Sequence, residues 1–125
     1  ILKASEATTD KSNQDIINMK SATAIFYFKD GTVLNVSSET GVYNNKSLDM
    51  LFSGEVKASY IESELFADKA EYSNSEGFLT ITKNVIIEDS RGTMIADELL
   101  FDIKKQTLKI AAFKDNKINA NIKLK

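Results

Sequence analysis

An internal repeat constrains this chain more than any other feature of its sequence. Leu65-Phe66-Ala67-Asp68-Lys69-Ala70-Glu71-Tyr72 matches Met94-Ile95-Ala96-Asp97-Glu98-Leu99-Leu100-Phe101 at a displacement of 29 residues, so that Asp68 meets Asp97. Without a gap, the same displacement carries Val56 onto Val85 and Leu79 and Ile81 onto Leu108 and Ile110. One step further back, Val36-Ser37-Ser38-Glu39-Thr40-Gly41-Val42-Tyr43 falls into the same frame, with Met50 and Phe52 beneath Leu79 and Ile81. Each copy is an extended run, a small residue followed by an acid, an aromatic, a polar turn and a second extended run. A unit of this length cannot bury its apolar face alone and does so by stacking on its neighbours.

The alternation inside each copy has period two and changes phase at one fixed place. Leu65 and Ala67 share a face, but the next apolar members are Ala70 and Tyr72; Met94 and Ala96 are likewise followed by Leu99 and Phe101. A one-residue slip would turn every later side chain outward unless the strand bends there, so the slip predicts a bulge or corner that keeps the apolar set inside. The acids Asp68 and Asp97 recur at those corners, which points to a structural role, accepting backbone N–H bonds at the bulge, over a catalytic carboxylate pair. Polar clusters at 29–32, 44–46, 73–77, 88–92, 104–106 and 114–117 supply turns between short strands. Hairpin-like turns and corners favour antiparallel pairing over a parallel β-helix. The expected fold is therefore an all-β antiparallel roll over residues 16–125, closed by an edge strand in which Ile118, Ala120, Ile122 and Leu124 share one side. Lys117, Lys123 and Lys125 would guard that edge against indiscriminate pairing.

A chain of 125 residues accommodates one domain. Its first stretch is polar from Lys3 to Gln14, so residues 1–15 read as a flexible linker or arm, not a signal peptide. The formal net charge of -2 is scattered along the chain, which offers no basic stripe for nucleic acid. Neither cysteine nor histidine is present. That removes disulfides, thiolate metal sites, the usual zinc ligands and the commonest general base, and with them most routes to an enzyme, a metal centre or a cofactor site. No apolar run reaches the roughly 20 residues that span a bilayer.

The ordered succession Gly54-Glu55-Val56, Leu65-Phe66-Ala67-Asp68, Tyr72, Leu79, Asn84-Val85, Gly92 to Ala96-Asp97 and Phe101-Asp102 resembles the repeating pattern of the OstA-like periplasmic proteins of lipopolysaccharide transport, and most of all their LptC-like members. The resemblance covers residues 20–125. Two places depart from the pattern: Ser38-Glu39 stands for Ala-Asp in the first copy, and Gly54-Glu55-Val56 for the family's Gly-Asn-Val. The resemblance implies an elongated, twisted antiparallel β-jelly roll whose apolar interior holds lipid A acyl chains. It also implies an N-terminal helix upstream that anchors a periplasmic domain to the inner membrane. Such a domain receives lipopolysaccharide from an LptB/F/G-type ABC transporter and passes it to an LptA-like bridge protein by edge-strand pairing. The edge strand Ile118, Ala120, Ile122 and Leu124 would face that bridge.

On this reading the lipid-binding interior is the inward set of the copies: Tyr43, Met50, Phe52, Val56, Leu65, Tyr72, Leu79, Ile81, Val85, Ile87, Leu99, Phe101, Leu108 and Ile110. Taken by their pattern alone, the same residues are an ordinary core, and the two readings are compatible because the lining is also the core. Two alternatives stand beside the relay component: a soluble LptA-like bridge, and a structural β-repeat surface protein with a lipid-free interior. Lys104-Lys105 reads as a solvated turn.

Overall fold

The computed structural model describes residues 1–110 and 120–123, with side chains to residue 107. Among them are ten strands and no helix: β1 Leu2–Lys3, β2 Glu6–Thr9, β3 Ile16–Tyr27, β4 Val33–Asn44, β5 Met50–Tyr60, β6 Ser63–Ser73, β7 Phe78–Asp89, β8 Gly92–Asp102, β9 Thr107–Ile110 and β10 Ala120–Lys123. All pair antiparallel in one sheet of order β1-β3-β4-β5-β6-β7-β8-β9-β10, with β2 also on β3. Consecutive strands are neighbours from β3 onward, so each 29-residue copy is one hairpin of the meander.

The six strands from β3 to β8 run 11 or 12 residues and bend midway. The phase slip appears where the sequence places it: Leu65 and Ala67 are buried before Asp68-Lys69, and Ala70 after it, while Ala96 and then Leu99 and Phe101 repeat the step. The ladders lose register at the same line, between Ser37 and Thr40, Ser53 and Val56, Phe66 and Lys69, and Thr82 and Val85. The device on β5 and β7 is different and has no apolar signature, whereas β3 changes parity between Met19 and Ala22 around left-handed Ser21. β5 and β7 keep their parity, but each inserts two consecutive left-handed residues, Gly54 (φ 79°) with Glu55 (φ 45°), and Lys83 (φ 68°) with Asn84 (φ 56°). These pairs sit one repeat apart, each opposite a single acid: Asp68 faces Gly54-Glu55, and Asp97 faces Lys83-Asn84. Two residues against one is the geometry of a bulge, and it sharpens the local twist.

Folding along this crease brings the two halves of the sheet face to face. The Phe26 and Tyr72 rings lie 5.0 Å apart between β3 and β6, and those of Tyr60 and Phe101 6.4 Å apart between β5 and β8. Both pairs join strands three positions apart in the sheet, so the halves meet with a stagger and the sheet rolls along its axis. Phe52, Leu79, Ile81, Leu99, Phe101, Leu34, Val36, Val56 and Val85 are almost fully buried between them. At the corners the small residue points in and the acid out: Ser38, Ala67 and Ala96 are buried, whereas Glu39, Asp68 and Asp97 are exposed. Ser38 is the only buried polar side chain among the described residues, and its hydroxyl donates to the Thr40 carbonyl at 2.7 Å.

Two expectations are corrected. The arm at residues 1–15 does not stand apart from the sheet: Leu2-Lys3 pair with Ala24-Thr23, and Glu6–Thr9 with Lys20 to Ile17. Its polar residues conceal this because a strand held by main-chain bonds along an edge needs little apolar surface. The acids at the corners also act otherwise than expected. Asp68 accepts from the Asn84 side-chain amide at 2.7 Å, not from a backbone N–H, and Asp97 is solvent-exposed.

Candidate functional site: the apolar interior and its ends

The inward positions of successive hairpins form one continuous lining. Of the residues expected there, Phe52, Val56, Leu65, Leu79, Ile81, Val85, Ile87, Leu99 and Phe101 belong to a single buried cluster, with Tyr43, Met50 and Tyr72 half-buried against it. Leu108 and Ile110 lie in β9 opposite Phe101 and Leu99, but their side chains fall outside the described residues. The lining also includes residues the repeat does not reveal: Met19, Ala22, Ala24 and Phe28 from β3 and the turn after it, and Leu34, Ala58 and Tyr60. A period-two reading of β3 and of the second half of β5 would have found most of them, since Ala22, Ala24, Phe26 and Phe28 alternate cleanly.

Aromatic rings close the interior. Phe26 stacks at a tilt on Tyr72, and Phe28 meets Tyr60 edge-on at 5.5 Å, with the Tyr60 hydroxyl 3.2 Å from Thr32 Oγ1. A hollow lies at each limit of the lining among the described residues. At one end a hollow of about 430 Å³ is lined by Leu2, Ala24, Phe26, Tyr43, Met50 and Tyr72 among others. At the other, a hollow of about 310 Å³ lies between Ile87, Met94 and the Asp89–Arg91 turn. Asp89 there accepts from the Arg91 guanidinium at 2.7 Å, and this bond holds its carboxyl below the ordinary value of 3.8. At the first end, burial and then the charge of Asp49 push the Tyr72 hydroxyl above its ordinary value of 10.0. A third hollow, of about 510 Å³, lies over Val42, Leu51, Thr80 and Leu100 of the outer face and shares Met50 and Tyr72 with the hollow at the first end.

No cluster of three or more His, Cys, Asp or Glu that could hold a metal ion occurs among the described residues. Nor is any helix among them long and apolar enough to cross a membrane. Of the expected partner strand, Ala120 and Ile122 lie in β10, which ends the sheet order and pairs with β9; Ile118 and Leu124 lie outside the described residues.

Known proteins share this fold. No curated protein matches the chain in sequence. A solved structure, that of LptH, the LptA homologous periplasmic component of the conserved lipopolysaccharide transport device from Pseudomonas aeruginosa, superposes with a TM-score of 0.63 over 98% of this chain and 92% of that one, at 8% identity. At that identity the likeness speaks for the fold, an OstA-like β-jelly roll. The family model described as Lipopolysaccharide-assembly, LptC-related, matches residues 1–112, nearly the whole of the described chain, and the protein therefore belongs to the LptC-related family of lipopolysaccharide assembly.

Proposed function

We propose that this chain is the periplasmic lipid-relay domain of a lipopolysaccharide exporter, and that it works by binding rather than by catalysis. It receives lipopolysaccharide from an LptB/F/G-type inner-membrane ABC transporter, shelters the acyl chains in its interior and passes them to an LptA-like bridge protein through β10. An N-terminal helix upstream of Ile1 holds it to the inner membrane. Within a family of lipopolysaccharide assembly, the observation that carries this reading is the lining itself. Among the described residues it runs from Leu2, Tyr43 and Met50 to Ile87 with no charged side chain buried in it, and a hollow lies at each of these two limits. Each CH₂ that leaves water there is stabilised by about 0.8 kcal/mol, so a long acyl chain gains enough to part the two halves of the roll along the Phe26–Tyr72 contact.

A photo-crosslinking amino acid placed at Phe101, which is buried inside, and separately at Asn45, in the exposed β4–β5 turn, tests the reading. Capture of lipopolysaccharide at Phe101 and not at Asn45 is expected. Capture only at Asn45, or at neither, would remove the carrier role and leave a structural β-repeat. The likeness to an LptA homologue keeps a soluble bridge as the second reading. The full-length sequence decides between them, an uncleaved apolar helix upstream marking the relay and a cleaved signal peptide the bridge.

A further inference from the structure

The N-terminal arm is held to β3 mainly by main-chain bonds. All four side chains of β2 are exposed, and its one ion pair, Glu6 to Lys20 at 3.7 Å, lies in solvent. Such pairs contribute little, and a strand held by edge bonds alone opens first. β1 differs in a single respect. Leu2, opposite Ala24, is packed against the buried cluster and lines the 430 Å³ hollow with Phe26, Tyr43, Met50 and Tyr72. Ile1 borders the same hollow and is bonded to the Ile25 main chain, but its side chain is exposed, so Leu2 is the large aliphatic side chain of the arm that packs inward. The surface it covers is the end of the lining, the apolar surface that an alkyl chain threaded along the roll would also cover.

We propose that β1 is a displaceable plug. Leu2 walls this end of the roll and narrows it when no lipid is held, and it leaves, with the arm peeling from β3, when the alkyl chain of a lipid reaches Tyr43 and Met50. The proposal rests on the lipid-holding reading and adds to it a gate at one named end. Plug and lipid compete for one surface, so the observed lipid affinity is the intrinsic affinity reduced by the fraction of molecules with the arm released.

The chain has no cysteine, so Lys3→Cys carries a single nitroxide label on the exposed side of β1. On titration of the whole chain with lipopolysaccharide, the label is expected to pass from immobilised to mobile, with the midpoint of lipid capture at Phe101. Leu2→Ser is expected to raise lipid affinity about fivefold, because a polar side chain holds the plug less well. A label that stays immobilised while Phe101 captures lipid, or a Leu2→Ser variant that binds more weakly, would overturn the plug and leave the carrier standing. Absence of capture at Phe101 in both proteins would overturn the two together.

Discussion

Asp68 Oδ2 accepts a 2.7 Å hydrogen bond from the Asn84 side-chain amide, joining the acid of one corner to the left-handed bulge of the next strand. The bond is exposed, so its net contribution sits at the low end of the usual 0.5–1.5 kcal/mol, roughly half a kcal/mol. The backbone of Asn84 matters more. At φ 56° asparagine is tolerated where alanine is strained by about 1–2 kcal/mol. Asn84→Ala is therefore expected to cost about 1–2 kcal/mol, and Asn84→Gly less than about 1, by urea unfolding. Equal losses in the two variants would show that the hydrogen bond, and not the backbone, secures the corner.

The repeat supplies its own control. Gly54 and Lys83 occupy equivalent positions, both left-handed, and only one of them is glycine. Gly54→Ala is expected to cost about 1–2 kcal/mol, chiefly from backbone strain. The new Cβ would fall 2.6 Å from Glu39 Oε1, but that side chain is exposed and can swing aside. Lys83→Gly relieves similar strain but loses more backbone entropy on folding, so a change within about 1 kcal/mol of zero is expected. A loss of several kcal/mol at Lys83 would mean that its side chain, not its backbone, is needed.

Gly41 has no left-handed backbone, and its requirement is space. A Cβ there would lie 2.8 Å from Ala22 Cβ and 3.1 Å from Met19 Cε, both in the adjoining strand. Overpacking of this kind costs about 1–3 kcal/mol. Gly41→Ala is expected in that range, and Gly41→Ala with Met19→Ala should recover little, because the closer contact is with Ala22. Full recovery in the double variant would place the crowding on Met19 instead.

The even strands were legible because their apolar residues change parity at the corner, so Ala67 to Ala70 and Ala96 to Leu99 expose the bend in the letters. On β5 and β7 Phe52 to Val56 and Ile81 to Val85 keep parity, and two left-handed residues leave no trace in an apolar pattern. Only Gly54 hints at it. The β5–β6 turn was hidden for a similar reason. Ile61-Glu62 contains no turn-forming residue, and Ile61 adopts φ 53°, a conformation that β-branched residues rarely take. The lining was readable from the repeat, whereas the stagger of the halves depends on contacts between β3 and β6 and between β5 and β8, which local periodicity does not encode.

Tyr72 reports on the open end of the lining. Burial first, and the carboxylate of Asp49 second, hold its hydroxyl above 10.0. A raised value means that the folded state binds the proton more tightly than the unfolded one. The associated stability is therefore full below a pH of about 10 and is lost as pH rises through the folded value. Asp49→Asn is expected to lower the Tyr72 value while leaving it above 10.0, followed by NMR of the ring carbon bonded to oxygen. The Asn side-chain oxygen can still accept the Asn74 N–H that Asp49 accepts at 2.8 Å, so the turn should survive. A value that falls to 10.0 would assign the whole shift to charge, and an unchanged value would assign it to burial alone.

Adjacent residues on β8 separate the inner face from the outer. Phe101 is 1% exposed and meets Tyr60 across the interior, whereas Leu100 points outward and is half-buried. Removing a buried ring loses its transfer free energy and leaves a cavity, so Phe101→Ala is expected to cost about 3–5 kcal/mol. Leu100→Ala takes away only part of a side chain's burial and should cost roughly 1 kcal/mol. Denaturant titration of both variants measures the contrast. A small loss at Phe101 would mean that the halves of the roll are held by the hydrogen-bonded crease and not by the lining, and the interior could then open for an acyl chain with little disruption of its own packing.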